Sequence, residues 1–184
     1  MLRALLSMTG AVLLAAFTSF EVVDSADNPL LTIRERLTTS KRQQCPSGTL
    51  GNDVSFSELR VFAGEQGEEL TWRVAGCTSA TDPRDWTAPS GSKLRKFRVA
   101  PPEYQRLKAL LDSSSVNNLT SFMNAGPGVG DYEIEISRPS GVQRVSVVAL
   151  MPEHVELRRD PTLLRLICAA KQTAAIPRPS WCPR

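Results

Sequence analysis

The chain of 184 residues has one histidine, His154. Two-histidine zinc sites of the metalloprotease kind are thereby excluded, and a serine-histidine-aspartate triad would have to use this one imidazole. No serine occupies a Gly-x-Ser-x-Gly elbow between a strand and a helix. Met151-Pro152-Glu153-His154 reads as a surface turn, so His154 is expected to be structural. Long apolar runs are also scarce: nothing after residue 20 is long enough to cross a bilayer. Charge of one sign is not concentrated, with 22 Lys+Arg against 19 Asp+Glu and a net +3. So mild an excess does not suit a nucleic-acid partner. Cys45, Cys77, Cys168 and Cys182 are separated by 31, 90 and 13 residues. None of these gaps is the spacing of about two to four residues by which zinc ribbons grip a metal. No catalytic, metal or nucleotide motif stands out, and no cofactor is expected.

What is there begins with the N-terminus. Arg3 precedes an uncharged run, Ala4 to Phe20, followed by the polar stretch from Glu21. This is the layout of a secretory signal peptide, with Val23-Asp24-Ser25 offering a cleavage site. Residues 1–25 are read as that leader, or as an N-terminal anchor through residues 4–20 if uncleaved. A membrane partner is expected only in the second case. Loss of Arg3, Glu21 and Asp24 with the leader would make the chain one charge more basic. Export to an extracellular or periplasmic space changes how the cysteines are read, because disulfides persist there. Four cysteines allow three connectivities. We favour Cys45 with Cys77 and Cys168 with Cys182, since each pair then fastens an irregular segment to a neighbouring regular element.

Residues 26–44 read as a linker with the pattern of an edge strand. Leu31, Ile33 and Leu37 alternate with Thr32, Arg34 and Arg36, and Glu35 breaks the apolar face. Cys45 to Asp53 has the glycine and proline of a loop. Leu59, Val61 and Ala63, a turn at Gly64 to Gly67, then Leu70, Trp72 and Val74 read as a β-hairpin with one buried face. Thr78 to Ser92 is expected as an exposed loop carrying Trp86, and Leu94 to Val99 as a short strand. Pro101-Pro102-Glu103 opens a helix whose Tyr104, Leu107, Leu110 and Leu111 form one stripe, ended by Ser113-Ser114-Ser115. Tyr132, Ile134 and Ile136 alternate with Asp131, Glu133 and Glu135. Arg138-Pro139-Ser140-Gly141 turns the chain into a return strand through Val145 and Val147. Asp160-Pro161 then caps a last helix with Leu163, Leu164, Ile167 and Ala170 inward. The expectation is an α+β domain over 45–176, a single antiparallel sheet in ββαββα order with helices on one face. The Pro-rich tail 177–184 would be tied back by a disulfide.

Three segments invite a functional reading. Gly126-Pro127-Gly128-Val129-Gly130 is glycine-rich, but phosphate cradles follow a strand and open a helix, whereas this run precedes a strand. It reads, with the Trp86 loop, as a contact loop for a partner. Glu133 and Glu135, with Asp131, could pair carboxylates for hydrolysis, although the outer face of a half-buried sheet looks the same. Lys93, Arg95, Lys96 and Arg98 around Phe97 could meet an anionic polymer, although lysines also protect an edge strand.

The β-hairpin, helix, β-hairpin, helix order, with a loop leading into Asp131-Tyr132-Glu133-Ile134-Glu135-Ile136 and a Pro-Ser-Gly turn, resembles the emfourin-type inhibitors of thermolysin-like metalloproteases. The resemblance covers about residues 57–173 and implies a small exported domain that binds another protein. No inhibitory residue carries over. The expectations are therefore an exported non-catalytic binding module, with protease inhibition as its specific form. A hydrolase at Glu133/Glu135 and an envelope-surface domain holding anionic polymer are the alternatives.

Overall fold

The computed structural model describes residues 28–45, 47, 50–75, 88–123, 130–148, 160–176 and 182. The leader, Cys77, Trp86, Gly126, Pro127, Gly128 and His154 lie outside these residues. In chain order the elements are β1 (Leu31–Gln44), β2 (Leu50–Val61), β3 (Gln66–Val74), β4 (Lys93–Arg98), α1 (Pro101–Leu111), α2 (Ser114–Asn117), β5 (Phe122–Met123), β6 (Gly130–Arg138), β7 (Gly141–Val148) and α3 (Pro161–Thr173). The fold is α+β. The expected ββαββα order is not what forms, because four strands precede the first helix. All seven strands share one sheet in the order β4-β3-β2-β1-β6-β7-β5, antiparallel throughout except where the short β5 runs parallel to β7.

The largest correction concerns β1. The segment read as a linker with an edge strand is the middle of the sheet, paired along one side with β2 and along the other with β6. Glu35 interrupts the apolar pattern without interrupting the strand, because it is buried together with partners. A second correction is that β2 starts at Leu50, inside the stretch read as loop. Its connection to β3 uses left-handed backbone at Gly64 (φ 79°) and Glu65 (φ 65°), closed by Phe62 N–H donating to the Gln66 carbonyl at 2.8 Å.

That turn sets Val61 opposite Gly67 and Leu59 opposite Glu69. Side chains alternate along a strand, so Leu59 and Val61 face one side while Leu70 and Trp72 face the other. The hairpin therefore has two apolar stripes on opposite faces instead of the one expected. Gly67 is required where it is: a Cβ there would overlap the ring of Phe97 on the neighbouring strand.

Among the described residues the helices cover one face only. Leu31, Ile33, Leu59, Val61, Ile134, Ile136, Val145 and Val147 meet Leu107, Leu111, Val116, Leu163, Leu166, Ile167 and Ala170 in one core. The helix ends follow from local chemistry. Pro101 and Pro102 open α1 where no intrahelical N–H is needed. The Asp160 carboxylate accepts from Thr162 N and Leu163 N, each at 3.0 Å, capping α3. The helix α1 ends at Leu111, where the Ser113 hydroxyl donates to the Leu110 carbonyl at 2.6 Å; the same hydroxyl caps the short α2 through Val116 N. Cys168, on α3, bonds to Cys182 with Cα atoms 5.7 Å apart, so the expected tie between helix and tail is present. Cys45 is also disulfide-bonded, and its expected partner Cys77 is outside the described residues. Among the described residues no helix is long and apolar enough to cross a membrane.

Candidate functional site

Strand register places Tyr132, Glu35, Ser57, Thr71 and Lys93 in one row across five strands, all on the helix-covered face. At the inner end of the row Glu35 is buried and engaged from three elements. The Tyr132 hydroxyl donates to Oε1, Lys171 Nζ on α3 donates to Oε2 at 2.6 Å, and Ser57 Oγ reaches Oε2 at 3.5 Å. Burial first, then the facing charge of Glu35 and the hydrogen bond to it, push the Tyr132 hydroxyl well above the ordinary tyrosine range. It stays a neutral donor at physiological pH. A carboxylate so furnished pins α3 to the sheet, and held by three donors it is poorly placed to take a proton from a substrate.

From Glu35 outward the row opens into a cleft of about 480 Å³. Ser55, Ser57 and Thr71 form a hydroxyl floor, Leu37 supplies one apolar side, and Arg73, Lys93 and the turn Pro89 to Ser92 form the outer rim. Arg73 is paired with Asp53. The size suits a small ligand or a peptide side chain.

The other face of the sheet is charged and carries none of the described helices, although Glu58 is buried on it. Arg34 lies at the centre of an ionic lattice: Nε reaches Glu58 at 2.6 Å, and Nη1 reaches Glu133 and Glu135 at 3.5 Å each. Arg144 holds Glu135 from β7 at 3.1 Å, Arg60 holds Glu58, and Arg36 pairs with Asp131. Burial alone would lower the Arg34 pKa, but Glu58, Glu135 and Glu133 outweigh it and raise the value. The carboxylates singled out in the sequence are thus brought together on a sheet face, around arginines, instead of across a cleft. Beside the lattice the Phe56 and Trp72 rings stack with centroids 5.0 Å apart, both buried.

The basic segment is β4, at one edge of the sheet. Its cations face an acidic neighbour strand and turn: Arg95 with Glu69 at 2.8 Å, Lys96 with Glu68 at 3.1 Å, Arg98 with Glu65 at 3.8 Å. Arg95 also donates to the Ala174 carbonyl at the end of α3 and lies 5.1 Å from the Phe97 ring centroid. A cation there complements the negative end of the helix. Gly130 begins β6; Trp86, Gly126, Pro127 and Gly128, the expected contact loops, fall outside the described residues.

Glu35, Tyr132 and Lys171 were not singled out as a group by the sequence. The signal available was Glu35 itself, a charge at the apolar phase of a strand. Among the described residues no group of three or more histidine, cysteine or acidic side chains could hold a metal ion. Compared with known proteins, the chain matches no family model and no curated sequence.

Proposed function

We propose that this chain is an exported, non-catalytic module that binds another protein in the extracellular or periplasmic space. The observation that carries the reading is that both sets of acidic side chains are already engaged by cations of the same domain. Glu35 is held by Lys171 and Tyr132, and Glu133 and Glu135 by Arg34 and Arg144. General acid-base work needs a carboxyl in reach of substrate with its proton free to move, and neither set supplies one. What the domain offers instead is a cleft of mixed polar and apolar lining beside an exposed strand edge. Inhibition of a protease is the specific form implied by the resemblance to emfourin-type inhibitors. Attachment to a membrane follows only if residues 4–20 remain uncleaved.

The test is purification of the exported full chain, capture of its partner from the same culture fluid, and measurement of protease inhibition and of hydrolytic turnover. A single protein retained in fixed stoichiometry, with no turnover, is the expected result. Turnover of an ester, glycoside or peptide that disappears in Glu133→Gln or Glu135→Gln would overturn the reading in favour of the hydrolase.

A further inference from the structure

The strand β4 is the long edge of the sheet, and among the described residues nothing pairs with its outer side. Val99 N–H donates inward to the Glu65 carbonyl at 2.8 Å, so by strand periodicity the backbone groups of Phe97, Arg95 and Lys93 also point to β3. The N–H and C=O groups of Leu94, Lys96 and Arg98 therefore point away from the sheet. No hydrogen-bond partner for them is found among the described residues. Their side chains share the open face and are themselves exposed, Leu94 by 55% and the Lys96 and Arg98 side chains by 74% and 84%.

The chemistry along each cross-strand row says what would extend it. The row Arg60, Glu68, Lys96 alternates in sign and stops on a cation, so its next member would be acidic. The row Leu70, Leu94 stops on an exposed apolar side chain, so its next member would be apolar. Arg98 ends the next row as a second cation. The strand on the inner side, β3, already meets β4 in this way, with Glu68 on Lys96, Glu69 on Arg95 and Leu70 beside Leu94. A second copy of β4 is disfavoured at this edge, because its four cations would face these four.

We propose that the outer edge of β4 takes up an extended acidic segment of a partner protein as an added strand, with one apolar residue opposite Leu94 and acidic residues opposite Lys96 and Arg98. This rests on the protein-binding reading and gives the partner a chemistry. Backbone hydrogen bonds would supply the geometry and the alternate side chains the selectivity.

The probe is a blocked, labelled peptide with the same-face pattern apolar, acidic, acidic at alternate positions, titrated against the full chain. Three controls accompany it: the same peptide N-methylated on alternate amides, a lysine-for-glutamate version, and inorganic polyphosphate. Binding of the first peptide alone is expected, weakened about tenfold or more by Lys96→Glu with Arg98→Glu, since two attractive cross-strand pairs become repulsive. Leu94→Pro keeps every charge and removes an outward N–H that β3 does not use; it should fold, by circular dichroism, and bind weakly. Equal binding of the N-methylated peptide or of polyphosphate would overturn the proposal, leaving only charge attraction. So would a dimer of the free chain through β4, or no binding at millimolar peptide. If a captured natural partner binds the Lys96→Glu, Arg98→Glu chain undiminished, this proposal fails while the protein-binding reading stands. If no partner is captured at all, that reading fails first.

Discussion

The two faces of one sheet handle charge in opposite ways. On the helix-covered face a single carboxylate, Glu35, is met by donors from β2, β6 and α3, on residues that are 22, 97 and 136 positions away in sequence. On the open face a single guanidinium, Arg34, is met by Glu58, Glu133 and Glu135 from the two strands already hydrogen-bonded to its own. The first cluster fastens α3, through Lys171, to strands that the ladder already joins, at a buried carboxylate. The second decorates pairings that the backbone ladder has made. Buried charge is costly to leave unpaired, whereas exposed pairs are worth little. Glu58 is buried like Glu35 but keeps Arg60 as a second cation, and Glu133 and Glu135 are partly exposed, so the Arg34 cluster should answer more weakly to the loss of one member.

The strongest way to break the comparison is Lys171→Met. It leaves the Glu35 carboxylate without its cation and should cost about 3–5 kcal/mol in urea denaturation. Replacing both, Glu35→Leu with Lys171→Met, should recover most of that loss, because an apolar pair of similar volume is tolerated there. A loss under about 1 kcal/mol for the single variant would mean that Glu35 is well solvated and the contrast false.

Tyr132→Phe removes the neutral donor and should cost about 1.5–3 kcal/mol near neutral pH, the worth of a hydrogen bond to a charged group. It carries a pH signature as well. The folded-state pKa of Tyr132 is raised above its unfolded value, so the stability it confers is complete below the ordinary tyrosine pKa of about 10 and is lost as pH climbs beyond that. The parent chain should therefore weaken above about pH 10 by a component that Tyr132→Phe lacks. Parallel pH curves for the two proteins would refute it.

Adjacent residues of β3 sharpen the contrast sterically. Gly67 faces the covered side beneath Phe97, and Glu68 faces the open side beside Lys96. Gly67→Val must displace the Phe97 ring and should cost about 1–3 kcal/mol, while Glu68→Gln should stay within about 0.5 kcal/mol. Equal thermal midpoints for the two variants would show that Phe97 moves aside freely.

How far the sequence discloses these faces depends on whether the signal is local. The β6 and β7 strands alternate cleanly, α1 and α3 begin with proline or a capping aspartate, and Cys168 with Cys182 closes a short loop, so all of these are legible. The central position of β1 is not, because Glu35 breaks its apolar phase and only Tyr132 and Lys171, far along the chain, explain why a charge is tolerated there. The two-sided β2–β3 hairpin is hidden for a different reason. Its register is fixed by left-handed backbone at Gly64 and at Glu65, and a glutamate gives no warning of that conformation. The open-face lattice is visible as alternating Asp131, Glu133 and Glu135, but its central cation, Arg34, comes from β1, whose place in the sheet the sequence does not disclose.

A small effect is also expected of that lattice. Arg34→Gln removes the central cation, yet Arg60 still meets Glu58 and Arg144 still meets Glu135. The loss should be about 1 kcal/mol or less at low ionic strength. It should also fade as salt rises, because at about 1 M the screening length falls to about 3 Å, shorter than the distance from the guanidinium to Glu133 or Glu135. The measurement is a denaturation midpoint for parent and variant at low and high salt. Convergence of the two proteins at high salt is the expected outcome, whereas the Lys171→Met deficit should persist there because its partner is shielded from ions by α3. A salt-independent deficit at Arg34 as large as that at Lys171 would show that both faces bury their charge alike.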